Sequence, residues 1–205
     1  MIITIGRQHG SGGHDIARAL ARELQIRCYD KEIVDEAARC SKLCREVVDS
    51  FDEKRVAAFI GQEGHFLSFG ENFGLNMRAA AAQFDAIRSL AEQGDAIFVG
   101  RCADYVLRGR EDLLRVFIMG DLPRRIETVM ARYDLGEEQA KKLIREVDKD
   151  RSSFYRYYTD QLWGEAGNYD LCIDSGRIGV DGAVHVIVSC LCARGLVSPD
   201  GEKPL

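Results

Sequence analysis

A glycine-rich loop at residues 6–13 is the feature of this sequence that most constrains its fold. The residues before it, MIITI, are apolar or β-branched and are typical of a buried strand. After the loop, apolar side chains recur at helical spacing, at Ile16, Ala17, Leu20, Ala21 and Leu24. The sequence therefore predicts a strand, a glycine loop and the N-terminus of a helix in direct succession.

A strand–loop–helix unit of this kind can bind an anion. The backbone N–H groups of the loop converge, and the helix dipole adds a partial positive charge where the loop meets the helix. A phosphate is the natural ligand, so we expect one on the N–H groups of residues 10–14. The simpler alternative is a connection whose glycines serve only the turn.

The loop is close to the P-loop motif G-x-x-x-x-G-K-[ST] but departs from it. If Gly12 is the last loop glycine, Gly13 takes the place of the lysine and His14 that of the Ser or Thr. Arg7 then falls on the first glycine. The motif's fixed cation is missing, so a phosphoryl-transfer enzyme would need another Arg or Lys instead. Arg7 is the nearest candidate, and His14 could bond a phosphate oxygen.

Composition and charge limit the binding partners and the cellular compartment that we expect for this protein. The 205 residues suffice for one α/β domain with a covering subdomain, and the formal net charge of −5 argues against a general duplex-binding surface. The seven cysteines lack the spacing of a disulfide framework or of a zinc site, so we expect reduced thiols. No leader segment precedes the first strand, and no apolar run approaches the length of a membrane span. We therefore expect a cytoplasmic protein that binds neither nucleic acid nor membrane.

Asp30 and Arg101 each follow a predicted strand, at residues 26–29 and 95–100. Ligands of open α/β sheets bind at the carboxyl ends of parallel strands, and a guanidinium suits bidentate phosphate recognition. Both residues are therefore candidates for ligand contact. The alternatives are a helix N-cap role for Asp30 and a surface salt bridge for Arg101.

Residues 41–93 contain no clear strand and are predicted to form a helical insertion on the substrate side. Within it, residues 41–60 favour helix, and residues 61–76, rich in Gly, Phe and Asn, predict a mobile, partly apolar loop. Residues 77–93 return to helical periodicity.

Residues 136–158 predict one long helix, or two joined by a bend, with Arg145, Lys149, Arg151 and Arg156 in the second half. Positions 145, 149, 152 and 156 share a helical face, so three of these cations can point the same way. Such a face either meets an anion or is a solvated, ion-paired surface, and periodicity does not distinguish the two.

Two further strands are predicted at residues 113–119 and 169–175, followed by helices at residues 121–133 and 180–193. Asp121 is expected to cap the first of these helices, with Pro123 in its first turn. Five strands that alternate with helices predict one doubly wound, three-layer α/β/α domain with a parallel sheet over residues 1–205.

With these residues in hand, the chain resembles the cytidylate kinase-like family, a branch of the P-loop nucleoside monophosphate kinases. The resemblance is carried by ITIGRQHGSGGHDIA, CYDKEIV, VGRCADYVL, VDKDRSSFYRYYT and NYDLCIDS. It implies a sheet of order 2-3-1-4-5, a lid over ATP at residues 136–165 and an acceptor-binding insertion at residues 41–93. Two positions depart from the family pattern: Gly13 replaces the loop lysine, and Cys102 replaces an aspartate of true cytidylate kinases.

The resemblance also implies roles for individual residues. ATP would lie on Gly10, Ser11, Gly12 and Gly13, beside His14 and Asp15. Asp30 would face the acceptor nucleotide, and Arg101 would hold its phosphate. Mg²⁺ is the implied metal, with Asp15 and Asp30 as the nearest carboxylates. The implied catalytic cations come from the loop, a strand end and the lid: Arg7, Arg101, Lys149, Arg151 and Arg156.

These features together predict in-line transfer of the ATP γ-phosphoryl group to a nucleoside monophosphate or a related small acceptor. Two alternatives remain open at this point. One is a nucleotide- or phosphate-sensing protein that has lost transfer activity together with the loop lysine. The other is a kinase whose acceptor is a different small metabolite.

Overall fold

A computed structural model of the chain describes residues 1–41 and 69–198. Five parallel strands form one sheet in the order β2-β3-β1-β4-β5, which confirms the predicted order. The strands are β1 (Ile2–Arg7), β2 (Arg27–Tyr29), β3 (Ala96–Val99), β4 (Leu113–Met119) and β5 (Leu171–Asp174).

Helices cover both faces of the sheet and complete the three-layer α/β/α architecture. The described residues contain seven α-helices: α1 (Gly13–Glu23), α2 (Glu32–Ser41), α3 (Phe69–Glu92), α4 (Ala103–Val106), α5 (Leu122–Tyr133), α6 (Glu137–Thr159) and α7 (Ser175–Ala193).

Strand β1 is central and buried on both faces, which explains its unbroken apolar run. Because side chains alternate along a strand, Ile3 and Ile5 pack with α1 and α7, whereas Ile2 packs with α2 and α3. The N-terminus of α1 follows β1 at the carboxyl edge of the sheet. The glycine loop therefore lies at the edge where the other parallel strands also end.

Two element boundaries differ from the sequence prediction by more than two residues. Residues 69–76, expected in a loop, belong to α3, because adding turns to an existing helix requires no new nucleus. Helix α7 begins at Ser175 rather than at residue 180, and its first turn is joined to the rest by a kink at Gly179, whose φ is 70°. The predictions for residues 42–68 lie outside the described residues.

Helix α7 is long and apolar enough to span a membrane by length and composition alone. Its buried residues Ala183, Val184, Ile187 and Leu191 pack in the same core cluster as α1 and the sheet. Part of the apolar surface of α7 is thus used in packing one layer of the domain, whereas Ile178 and Val186 on the same helix are exposed.

Candidate functional site

The glycine loop between β1 and α1 adopts left-handed backbone conformations at Gly10 and Gly12, with φ of 81° and 74°. At Gly10 a side chain is excluded twice, since a Cβ atom would also lie 2.7 Å from the carbonyl oxygen of Arg125. Gly12 is the residue immediately before α1. The loop therefore needs glycine at both positions to present its N–H groups at the helix N-terminus.

Side-chain hydrogen bonds attach the loop to the neighbouring strand ends. The Ser11 hydroxyl donates to the carbonyl oxygens of Gln8 and Ile118, at 2.8 and 3.2 Å. The Ser175 hydroxyl, at the start of α7, donates to the Ser11 carbonyl at 2.6 Å. The N–H of Gly120 donates to the Gln8 side-chain oxygen at 3.1 Å. These bonds hold the loop against the ends of β4 and β5.

A partly buried ion pair holds the other side of the loop in place. The N–H of His9 donates to the Asp148 carboxylate at 2.7 Å, and Arg125 Nε donates to the His9 carbonyl at 2.8 Å. Arg125 and Asp148 also pair directly with each other. Neither Arg125 nor Asp148 was singled out as a site residue from sequence, because their pairing depends on how α5 and α6 pack.

Arg7 and Gly13 lie in contact at the start of α1. A Cβ atom on Gly13 would come 2.5 Å from Cβ and 3.0 Å from Cγ of Arg7. The Arg7 side chain therefore occupies the space that any side chain at position 13 would need. The Arg7 carbonyl accepts a hydrogen bond of 2.9 Å from Nη1 of the buried Arg151 on α6.

A cavity of about 400 Å³ opens over the loop and reaches the ends of β2 and β3. Two carboxylates, Asp30 and Glu32, line it, together with the loop residues from Arg7 to His14 except Ser11. Its cationic lining comes from six different elements or their ends: Arg7, Arg18, Lys31, Arg101, Arg132 and Arg151. The excess of cations favours a ligand with several negative charges.

Asp30 is held between Arg101 and His14. Nη1 of Arg101, a residue only 2% exposed, donates to the Asp30 carbonyl at 2.5 Å and to its carboxylate at 3.0 Å. Nδ1 of His14 lies 3.3 Å from the other carboxylate oxygen. Burial lowers the pKa of His14, and the nearby Asp30 carboxylate opposes this shift without reversing it. The imidazole is therefore neutral at neutral pH.

The predicted cations of α6 fall on different faces of that helix. Arg151 is buried at the cavity, whereas Arg145, Lys149 and Arg156 are exposed. Neither Lys149 nor Arg156 lines the described cavity over the loop. The face shared by positions 145, 149 and 156 is thus the solvent-facing one in this conformation.

Three cavity cations were missed by the sequence analysis: Arg18, Lys31 and Arg132. Arg18 lies one turn after His14 on α1, so helical spacing from the loop could have identified it. Arg132 comes from α5 and pairs with Asp15 at 2.6 Å, a contact between residues far apart in the chain. Asp15 lines a second cavity, together with Ser11.

This second cavity, of about 350 Å³, shares Gly10 and Gly12 with the first. It lies between the start of α5 and the start of α7, and it includes Arg124, Thr128 and Arg177. The loop is therefore flanked by two openings, one toward α2 and one toward α7. A molecule with phosphates on the loop could extend into either.

A buried Asp–Tyr pair attaches α6 to α4, the short helix that follows β3. The Tyr155 hydroxyl donates to the Asp104 carboxylate at 2.7 Å. Burial raises the pKa of Asp104, and the hydrogen bond from Tyr155 opposes this shift only in part. Burial also raises the pKa of Tyr155, which therefore keeps its proton. The pair lies three residues beyond Arg101 and so fixes the segment that carries this arginine.

Comparisons with known proteins identify a family whose model matches most of this chain. Residues 2–177 match the model of the cytidylate kinase-like family. The cytidylate kinase of Methanothrix thermoacetophila is 28% identical over 196 residues, which cover 94% of this chain and 99% of that protein. The cytidylate kinase of Methanopyrus kandleri is 26% identical over 202 residues, 93% of each chain.

Solved structures share the fold of this chain. An uncharacterized protein from Eubacterium ventriosum superimposes with a TM-score of 0.71 at 30% identity, over 93% of this chain and 98% of that one. Shikimate kinase from Bacteroides thetaiotaomicron shares the fold, with a TM-score of 0.54 at 13% identity over 93% and 98% of the two chains. Since the family model spans the glycine loop, the strand ends and all of α6, the chain belongs to the cytidylate kinase-like family.

Proposed function

We propose that this protein transfers the γ-phosphoryl group of ATP to a nucleoside monophosphate or a related small phosphorylated acceptor. The observation that carries the proposal is the cavity over the glycine loop, where six cations surround a helix N-terminus. A helix N-terminus with a left-handed glycine loop suits phosphate, and the cations suit a polyanion. Membership of the cytidylate kinase-like family supports nucleotide kinase chemistry in general.

In this proposal the phosphates of ATP lie on the N–H groups of residues 10–14. The nucleoside of ATP occupies the cavity toward α7, because that cavity shares Gly10 and Gly12 with the phosphate site. The acceptor occupies the other side, toward Asp30 and Lys31. Donor and acceptor then meet above the loop, which is the arrangement that in-line transfer requires.

Arg7 replaces the missing loop lysine in this mechanism. It ends β1 directly before the loop, lines the cavity over the loop, and packs against Gly13, the position that lysine would occupy. Its backbone is held by Arg151, which also lines the cavity. A guanidinium that is already positioned there would stabilise the charge that develops on the transferred group.

Arg101 serves the acceptor through Asp30. Because Arg101 is almost fully buried and bonded to Asp30, it fixes the position of that carboxylate at the cavity wall. Lys31 and Arg18 line the same cavity and offer direct contacts to an acceptor phosphate. Lys149 and Arg156 are exposed on α6, so they would reach the nucleotides only if the lid at residues 136–165 moved.

The donor groups at the loop fit a nucleotide-bound divalent cation such as Mg²⁺. Among the described residues no cluster of three or more His, Cys, Asp or Glu side chains is arranged to hold a metal alone. His14 and the carboxylates of Asp15, Asp30 and Glu32 could instead complete a coordination shell that phosphate oxygens begin. When bound, the ion would neutralise charge on the phosphate oxygens.

The test is ATP consumption in the presence of a panel of nucleoside monophosphates, with the products identified by mass. We expect ADP and one nucleoside diphosphate to form in equal amounts. The second candidate, a nucleotide- or phosphate-sensing protein, is favoured by one observation, the glycine at the lysine position. ATP binding without transfer to any acceptor would support that candidate and contradict the first.

A further inference from the structure

His14 occupies the place where a P-loop carries the Ser or Thr whose hydroxyl binds the metal. It lies in the first turn of α1, is about one-third exposed, and lines the phosphate cavity. The chain therefore lacks the usual metal-binding oxygen and has an imidazole at the same backbone position.

The surroundings of His14 leave one ring nitrogen facing no described partner. Nδ1 lies 3.3 Å from the Asp30 carboxylate, which is itself fixed by Arg101. Among the described residues, no hydrogen bond or ion pair involves Nε2 of His14. A carboxylate at one imidazole nitrogen is the usual support of a histidine that binds a metal through the other nitrogen.

We propose that Nε2 of His14 is a direct ligand of the divalent cation that accompanies the nucleotide. This inference rests on the proposed function, because the nucleotide must supply the remaining ligands. A nitrogen ligand would also change which metal ion the site prefers. Mg²⁺ prefers oxygen ligands, whereas Mn²⁺ and Co²⁺ accept imidazole nitrogen more readily. The site should therefore favour Mn²⁺ and Co²⁺ over Mg²⁺ more strongly than a hydroxyl at this position would.

The inference is tested by pulsed electron paramagnetic resonance of the full chain with Mn²⁺ and a non-hydrolysable ATP analogue. The protein is labelled with ¹⁵N and the nucleotide is left at natural abundance, so that nitrogen coupling from the protein is separated from that of the adenine ring. We expect a ¹⁵N coupling to Mn²⁺ in the wild type. The coupling should be lost in His14→Ser and kept in His185→Ser, a matched control at an exposed position of α7.

Binding measurements give a second readout that does not depend on turnover. His14→Ser restores a hydroxyl, so Mn²⁺–nucleotide affinity should fall about tenfold or more relative to Mg²⁺–nucleotide affinity. An unchanged ratio, or bound Mn²⁺–nucleotide without ¹⁵N coupling in the wild type, would overturn the role of His14 while leaving the proposed function intact. If no nucleotide bound with either metal, both the inference and the proposed function would be contradicted.

Discussion

Gly13 and Arg7 show how the side chain at one position can limit the side chain at another. In a P-loop, the position of Gly13 carries lysine and that of Arg7 carries glycine. In this chain the glycine is at position 13 and the cation, an arginine, is at position 7. The residues at the two positions depend on each other, because even a Cβ atom on Gly13 would collide with Cβ of Arg7. A cation therefore stands at the end of β1, and the Arg7 side chain leaves no room for a side chain at position 13.

Arg7→Ala should lower the rate of phosphoryl transfer about 10²-fold or more, the range for losing one preorganised donor at the transferred group. ATP affinity should change much less, since the loop N–H groups remain. Steady-state kinetics with saturating acceptor would measure the effect, with Arg22→Ala, at the last turn of α1, as the control. Unchanged kinetics would remove Arg7 as the substitute and direct attention to Arg151, Lys149 and Arg156.

Gly13→Lys alone should destabilise the protein by about 1–3 kcal/mol, because the new side chain must displace Arg7. The double variant Arg7→Gly/Gly13→Lys removes the obstruction and recreates the usual arrangement of glycine and lysine. We expect it to recover stability relative to the single variant, as measured by denaturant unfolding. If the two substitutions were additive, Arg7 and Gly13 would be uncoupled.

Helix α6 is the element that connects the loop with the strand ends. Asp148, Arg151 and Tyr155 lie on one face of it and contact, in order, His9, Arg7 and Asp104. One helix thus sets one wall of the cavity over the glycine loop and the position of the segment after β3. The opposite face carries the exposed cations Lys149 and Arg156.

The raised pKa of Asp104 makes this attachment depend on pH. Since the pKa is raised from its ordinary value of 3.8 in the folded state, the unfolded chain loses this proton first as the pH rises. Below the ordinary pKa, Asp104 is protonated in both the folded and the unfolded chain, so its ionisation does not affect the unfolding free energy. The unfolding free energy then falls as the pH rises from that value toward the pKa of the folded state.

Asp104→Asn keeps an oxygen that can accept the Tyr155 hydrogen bond but cannot ionise. We expect the wild type to lose unfolding free energy relative to this variant as the pH rises above the ordinary pKa of 3.8, as followed by urea unfolding at several pH values. A constant difference between the two proteins across that range would show that Asp104 does not titrate differently on folding.

At the scale of the whole molecule, the parallel topology assembles the site. The order β2-β3-β1-β4-β5 brings the carboxyl ends of all five strands to one edge, where Asp30, Arg101 and the glycine loop meet. Residues 71 positions apart in sequence are thereby hydrogen-bonded. Helices α5 and α6 add Arg132 and Arg151 to the cavity at the same edge.

Nucleotide binding should alter exchange at this edge and leave the sheet centre unchanged. Amide hydrogen exchange should be slow in β1 and β3 at all times, because both are buried. Residues 10–14 and 148–162 should exchange faster and become protected when ATP is added, since phosphoryl-transfer enzymes close over their substrates. Equal protection in all these segments without nucleotide would count against a moving lid.

The sequence by itself determined the fold class, the positions of the strands and the presence of the glycine loop. Each of these depends on local signals, namely strand and helix periodicity and glycine spacing, that short segments express without their neighbours. The loop's departure from the P-loop motif was also visible in the sequence, at Arg7, Gly13 and His14.

Only the tertiary structure decided which charged side chains share the cavity. Arg151 lies at the cavity while Lys149 and Arg156 face solvent, although all three belong to the same helix. The reason is the rotation of α6, which is set by its distant partners His9, Arg7 and Asp104. The same holds for Arg132, which approaches the loop through the packing of α5. Such pairings depend on contacts between elements, and no pattern within one segment encodes them.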